Sequence, residues 1–254
     1  MKATCLVALV AAALVPAACL ADARHAPADA RHAPHWGYAG AEGPAHWAGL
    51  APEFGSCSGK EQSPINIHHP IEAQLEPLHL AYRAGGTALL NNGHTAQVEY
   101  APGSSLTLDG IRFELKQFHF HAPSENTIEG RSFPLEAHLV HADKDGNLAV
   151  LAIMFEDGSE NAALAQLWPQ LPEHAGAKLA LAKPFAATGL LPAKLDYYRF
   201  SGSLTTPPCT EGVRWLVLKT PVPASKPQTQ RFAALMHHAN NRPIQPVNAR
   251  PVLQ

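Results

Sequence analysis

Excess positive charge is missing from this 254-residue chain: 19 Lys and Arg stand against 21 Asp and Glu, for a formal net charge of −2. No basic patch occurs either, which excludes a surface built to neutralise nucleic-acid phosphates. Rossmann and P-loop glycine patterns are both absent, so nothing implies a nucleotide. No apolar run reaches bilayer-spanning length. What is present is a hydrophobic content of 46%, which suits one sizeable globular domain. Frequent turn signals among short alternating runs make that domain β-dominated.

The N-terminus reads as a targeting segment. Lys2 supplies positive charge, Leu6 to Val15 is apolar, and Ala-rich residues offer cleavage after Ala21 or Ala23. Residues 1–21 are therefore expected to be a signal peptide. Cys19 invites a lipoprotein reading, but Pro16 stands where that motif usually has Leu. ADARHAP then occurs twice, at 21–27 and 28–34. Without a large apolar residue, 22–34 is expected to be a solvated, disordered leader; weak metal capture by His25, His32 and His35 is the functional alternative. Residues 35–254 remain for a single folded domain.

The chain has 15 histidines, and any one of them is by default a surface or hydrogen-bonded core residue. Two sit one residue apart in QFHFHAPSEN, residues 117–126. In a strand residues two apart share a face, so His119 and His121 look the same way; on a helix they would diverge by about 200°. The preceding DGIRFELK favours the strand: Asp109-Gly110 supplies a turn, and Ile111, Phe113 and Leu115 alternate with Arg112, Glu114 and Lys116. Continued unbroken, that alternation places Gln117, His119 and His121 on the face of Ile111, Phe113 and Leu115, with Phe118 and Phe120 opposite. A face that turns polar so abruptly needs partners for its polar atoms.

A third imidazole lies in PLEAHLVHADKDGNLAVLAIMFEDG. Alternation over 135–142 sets Glu136, His138 and Val140 on one side and Ala137, Leu139 and His141 on the other. Asp143 to Asn147 reads as a hairpin turn and 148–155 as the strand after it. If this hairpin lies beside the 111–121 strand, His119, His121 and His138 converge as three nitrogen donors. That is the ligand set of a catalytic zinc site, with one position open for water. Gln117 and Glu136, each two residues from a histidine on the same expected face, suit acceptance of the ligands' outer N–H groups. The pairs His68-His69 and His237-His238 default to the surface.

QSPINI (62–67), NNGHT (91–95), QFHFHAPSEN, EAHLVH (136–141), YYRFSGSLTTPPC (197–209) and RPIQPVN (242–248) occur in the order found in α-class carbonic anhydrases. From about His35 to the C-terminus the sequence closely resembles the bacterial branch of that family. It departs from the animal enzymes at Ala122, where they carry Trp, and at Gln97, where they often have Asn. The resemblance implies a mixed α/β fold dominated by β, with a large twisted, mostly antiparallel central sheet and short peripheral helices. Zinc would sit at the bottom of a conical cleft, in a periplasmic or secreted protein. Cys57 and Cys209, the two cysteines left beyond the leader, would form a disulfide, as an oxidising compartment favours. GSCSG at 55–59 fits a Cys version of the nucleophile elbow, but that elbow needs a strand before it and a helix after it, and KEQSPINI does not read as a helix.

The activity so implied is reversible hydration of carbon dioxide to bicarbonate and a proton by zinc-bound hydroxide, with Zn2+ as cofactor. Neutral imidazole ligands leave the metal's charge undiminished, so that zinc lowers the pKa of bound water to about 7, a value known from carbonic anhydrases themselves. By resemblance, Thr205 accepts the hydroxide's proton in a hydrogen bond and passes its own to the carboxylate of Glu125, an obligate acceptor when ionised. Thr206 would contact bicarbonate. Val140, Val150, Leu204 and Trp215 match positions lining an apolar substrate pocket. His94 matches the proton shuttle, a role suited to a side chain titrating near neutrality, and Tyr38, Asn92 and Gln97 match positions that hold the intervening water chain. Expected partners are the small-molecule substrate and sulfonamide or anion inhibitors, with no nucleic acid and no membrane span; homodimer formation stays open, because bacterial relatives often dimerise. Activated esters would be attacked by the same hydroxide. Two other classes compete: a catalytically silent binding or adhesion protein on this fold, against which all three histidines are present, and a zinc-storage protein built on the histidine-rich leader.

Overall fold

The computed structural model describes residues 34–254. The expected signal peptide, Cys5, Cys19, His25 and His32 lie outside the described residues. The strands are β1 (Asn66–Ile67), β2 (His79–Ala81), β3 (Gly86–Asn91), β4 (Ala96–Tyr100), β5 (Ser105–Leu108), β6 (Ile111–His121), β7 (Thr127–Ile128), β8 (Leu135–Ala142), β9 (Leu148–Asp157), β10 (Lys178–Phe185), β11 (Tyr197–Ser203), β12 (Glu211–Leu218) and β13 (Val222–Ala224). Three short helices join them: α1 (Trp47–Leu50), α2 (Ala162–Leu167) and α3 (Lys226–Met236).

One 11-stranded sheet runs in the order β10-β3-β4-β6-β8-β9-β12-β11, with β5 also on β6, β2 on β5 and β13 on β9. Its pairs are antiparallel except those of β12 and β13 with β9. The β-dominated, mostly antiparallel sheet with short helices is therefore as expected. Asp109 and Gly110 take φ values of 51° and 73°, the two left-handed positions of a type I′ hairpin turn, and Leu108 pairs with Ile111 across them. The 148–155 run is apolar throughout because its strand is covered on both sides. Ala149, Leu151, Ile153 and Phe155 enter one buried cluster, and Val150, Ala152 and Met154 enter the other. Each large apolar side chain so buried contributes roughly 1.5–3 kcal/mol.

Strand β6 corrects the unbroken alternation read from the sequence. Phe113 and Leu115 share their buried cluster with Phe118 and Phe120, so the odd-numbered pair and the even-numbered pair point the same way. The reason is a register shift: Leu115 pairs with His141, but Gln117 pairs with Val140, leaving Lys116 as an extra residue in β6. A bulge of this kind bends the strand and re-aims the side chains beyond it. Here it turns Gln117, His119 and His121 away from the core that holds Phe113 and Leu115. Ile111, at the strand's start, is 40% exposed and belongs to neither core.

Helix α3 leads into the segment that reaches the site. Phe232 and Met236 anchor it in the core, and His237 ends it in the left-handed conformation, φ 58°. The chain then reverses, and the Asn240 N–H reaches the carbonyl of Ala122 at 3.4 Å, just past β6. Cys57, in the 3-10 turn Pro52–Ser58, is disulfide-bonded to Cys209. Among the described residues no strand precedes Cys57, and its sulfur is engaged, so GSCSG is no nucleophile elbow.

Candidate metal centre and cleft

The register between β6 and β8 sets His119 directly opposite His138 and His121 opposite Glu136. Ring centroids are 5.0 Å apart for His119–His121, 5.4 Å for His119–His138 and 4.5 Å for His121–His138. One ligand atom from each histidine lies within 4.8 Å of the others, and this is the one group among the described residues that could hold a metal ion. The outer nitrogens are all engaged. His119 Nδ1 lies 2.8 Å from Gln117 Oε1, His121 Nδ1 lies 2.7 Å from the Asn240 carbonyl, and His138 Nε2 lies 2.9 Å from Glu136 Oε1. Each partner is an acceptor, so each of those nitrogens carries the ring's hydrogen. The lone pairs are thereby left on His119 Nε2, His121 Nε2 and His138 Nδ1.

Burial lowers the pKa of all three imidazoles, and neighbouring histidines lower those of His119 and His138 further. Neutral rings with converging lone pairs are the form in which histidine binds a metal. His121 Nε2 is fully buried with no hydrogen-bond partner, an arrangement that costs free energy unless something binds it. The donor set, the fixed tautomers and this unpartnered nitrogen fit a zinc ion. His119 stays partly open to solvent, whereas His121 and His138 are each 1% exposed.

Two buried carboxylates stand behind the histidines. Glu136 accepts from the backbone N–H groups of Glu125 (2.7 Å) and Asn126 (2.9 Å), from Asn126 Nδ2 (2.8 Å), and from His138. Burial raises its pKa, and the Asn126 bonds oppose that rise. Glu125 Oε1 accepts from the Arg242 N–H at 2.8 Å. Its Oε2 is buried without a partner, 3.5 Å from His121 Nε2 and 3.8 Å from His138 Nδ1. Burial lifts the Glu125 pKa, opposed first by the Arg242 N–H and then by the Thr205 hydroxyl. The buried Thr205 thus stands beside Glu125, although Oε2 makes no hydrogen bond of ordinary geometry. A cation among the three histidines would favour the ionised carboxylate.

The expected apolar wall is brought together. Val150 and Trp215 are buried in one cluster, against which Val140 and Leu204 pack. The Trp215 ring meets His138 edge-on at 4.9 Å. Thr206 is partly exposed, and its carbonyl accepts from the Cys209 N–H. His94 is half-buried and stacks on Trp36 with centroids 3.7 Å apart. Tyr38 lies 6.4 Å from the His94 ring, and burial and the Glu125 charge push its phenol pKa up. Gln97 faces His119 across the β4–β6 pair. Asn92 is exposed, and its Oδ1 accepts from the N–H groups of His94 and Thr95 at 2.9 and 2.8 Å. Burial lowers the His94 pKa, as do the nearby His35 and His238.

Sequence reasoning missed four contributors. Asn240 acts on His121 through a carbonyl, which every residue carries and no motif reports. Arg242 holds Glu125 through its backbone N–H, while its guanidinium reaches Gln62 Oε1, the Ser63 carbonyl and the Cys57 carbonyl. Asn126 braces Glu136, and Trp36 stacks on His94. Asn126 and Arg242 lie within QFHFHAPSEN and RPIQPVN, and Trp36 lies two residues from Tyr38, but none of these placements named a role.

Residues 42–254 match the family model described as eukaryotic-type carbonic anhydrase. A carbonic anhydrase of Pectobacterium atrosepticum is 54% identical over 220 residues, 86% of this chain and 90% of that protein. Among solved structures, a hyperthermostable carbonic anhydrase from a hydrothermal vent chimney superposes with a TM-score of 0.85 at 53% identity, covering 86% of this chain and 99% of the other. The α-carbonic anhydrase of Thermovibrio ammonificans, solved with the inhibitor sulfanilamide, gives a TM-score of 0.86 at 48% identity over 88% and 100%.

Proposed function

The chain belongs to the eukaryotic-type carbonic anhydrase family and is an enzyme of that class, and on that premise we propose that His119, His121 and His138 hold zinc for the interconversion of carbon dioxide and bicarbonate. The observation that carries the proposal is the pinning of three outer nitrogens by Gln117, Asn240 and Glu136, which leaves three lone pairs converging. Zinc, when bound, supplies a Lewis acid that makes a coordinated water acidic near neutral pH.

The remaining work belongs to the chain. Thr205, with Glu125 behind it, orients the attacking oxygen, because a hydroxyl that donates to a carboxylate is left with only its lone pairs to offer. Val140, Val150, Leu204 and Trp215 exclude water from a small apolar substrate, and Thr206 receives the product. His94 takes the released proton to solvent, with Tyr38, Asn92 and Gln97 along its path. The sulfanilamide complex of the Thermovibrio enzyme supports sulfonamide inhibition here as well. Export fits the Cys57–Cys209 disulfide, with residues 1–21 as signal peptide, 22–34 as leader and 35–254 as the catalytic domain.

The test is carbon dioxide hydration by the purified protein before and after its zinc is stripped and restored. Activity should vanish with the metal and return in proportion to zinc added. Full activity in the stripped protein would overturn the proposal.

A further inference from the structure

Residues 240–242 touch three working parts of the site. The Asn240 carbonyl holds the outer nitrogen of His121, and the Arg242 N–H holds Glu125. The third contact is made by the Asn240 side chain. Its Nδ2 donates to the His94 carbonyl and to the Phe120 carbonyl, both at 2.9 Å, and its Oδ1 accepts from the Ala122 N–H at 2.8 Å. Phe120 lies between the histidines of the H-x-H pair. The residue is fully buried, and its two donor hydrogens and its acceptor are all used.

The turn that carries His94 is shaped by its own asparagines. Asn91 Oδ1 accepts from the Gly93 N–H, and Asn92 Oδ1 from those of His94 and Thr95. Those bonds fix the turn's form and not its place, since all of them lie within it. Its place against β6 is set by three bonds that leave the turn: Thr95 Oγ1 donates to the Phe120 carbonyl at 2.6 Å and accepts from the Phe120 N–H at 3.2 Å, and Asn240 Nδ2 donates to the His94 carbonyl. Only the last acts on His94 itself.

We propose that the Asn240 carboxamide is the positioning group that fixes the His94 turn against the strand bearing His119 and His121. One residue then serves two functions through separable atoms, its carbonyl steadying the metal ligand and its side chain steadying the proton carrier. The inference rests on the reading of His94 as that carrier. A displacement of about 1 Å between reacting groups is enough to cost a large factor in rate, so a loosened turn should slow proton export while leaving carbon dioxide attack intact.

The experiment measures stopped-flow hydration by zinc-loaded Asn240→Ala, in dilute buffer and with added imidazole. Position 240 keeps its carbonyl in the variant. The expected result is bound zinc, a several-fold lower kcat in dilute buffer that imidazole restores, and a kcat/KM that falls by less than kcat does. Added to His94→Ala, the substitution should lower kcat no further. Asn240→Ser keeps a small polar side chain but is too short to reach the His94 carbonyl, and it gives the same reading should the alanine variant fail to fold. An unchanged kcat in dilute buffer overturns the inference, as does a parallel fall of kcat and kcat/KM that imidazole does not relieve. If His94→Ala itself shows no buffer-dependent loss, the carrier reading falls first; if His94→Ala loses rate and the Asn240 variants do not, only the positioning role of Asn240 falls.

Discussion

Strand β8 carries two fully buried histidines three residues apart, and their surroundings differ in one decisive way. His141 uses both ring nitrogens: Nε2 lies 2.6 Å from the Tyr82 hydroxyl and Nδ1 lies 3.3 Å from the Ala149 carbonyl. His138 uses one. Its Nε2 is held by Glu136, while Nδ1 faces Glu125 at 3.8 Å and converges with the nitrogens of His119 and His121. Residue type and burial are the same for both, so neither separates a ligand from a core group. The number of satisfied nitrogens does: His138 Nδ1 makes no hydrogen bond and converges with His121 Nε2, which is fully buried without a partner, a rare condition unless something absent from the chain completes it.

The largest effect should come from breaking that contrast outright. His138→Ala is expected to lose tight zinc binding and essentially all hydration activity. His141→Ala should keep stoichiometric zinc and most of kcat/KM while losing stability, about 1–3 kcal/mol from the Tyr82 hydroxyl left unpaired and more from the cavity. Zinc analysis with stopped-flow hydration reads both variants. A folded His141→Ala protein without metal would erase the distinction drawn between the two residues. The next effect concerns groups beside the ligands. Glu125→Gln and Thr205→Ala should retain zinc and lower kcat/KM by about 10²–10³, the usual range for removal of one group that orients or stabilises charge at the reacting centre. Metal loss in the Thr205 variant would place that residue in the wrong role.

Much of this was legible in the sequence because strand parity is strict. Alternation alone set His138 with Glu136 and Val140, apart from Leu139 and His141, and the structure keeps that division. Parity misled in β6, where the extra residue at Lys116 inverts the faces. A bulge inserts one residue without a required residue type, so nothing in FELKQF announced it. The motif resemblance carried His94, Thr205 and the pocket positions other than Val140, none of which periodicity could reach. Asn240 holds His121 and Arg242 holds Glu125 through backbone groups, which are identical at every position and leave no trace in composition or spacing.

The smallest effect sharpens the comparison through pH. Burial holds the His141 pKa down to about 4 from 6.5, against an opposing pull from the Ala149 and Leu139 carbonyls. The Tyr82 phenol, pushed up by burial, stays protonated and donates to the neutral ring. Folding therefore keeps the His141 imidazole neutral where the unfolded chain would protonate it, so between these two values the unfolded state binds more protons. Stability is then fully present above pH 6.5 and falls as pH drops toward 4. The gap from 6.5 to about 4 converts to about 3 kcal/mol at most. Acid also protonates His119, His121 and His138 and releases metal, so the wild-type slope alone assigns nothing. The double variant Tyr82→Phe/His141→Phe leaves those three residues in place and leaves no unpaired hydroxyl. Its urea-unfolding free energy should fall less than that of wild type across this window, by about 1–3 kcal/mol, because the contributions of the metal ligands cancel in the difference. Coincident slopes would mean that His141 does not titrate on unfolding, and that the acid sensitivity of β8 belongs to its metal-facing histidine alone.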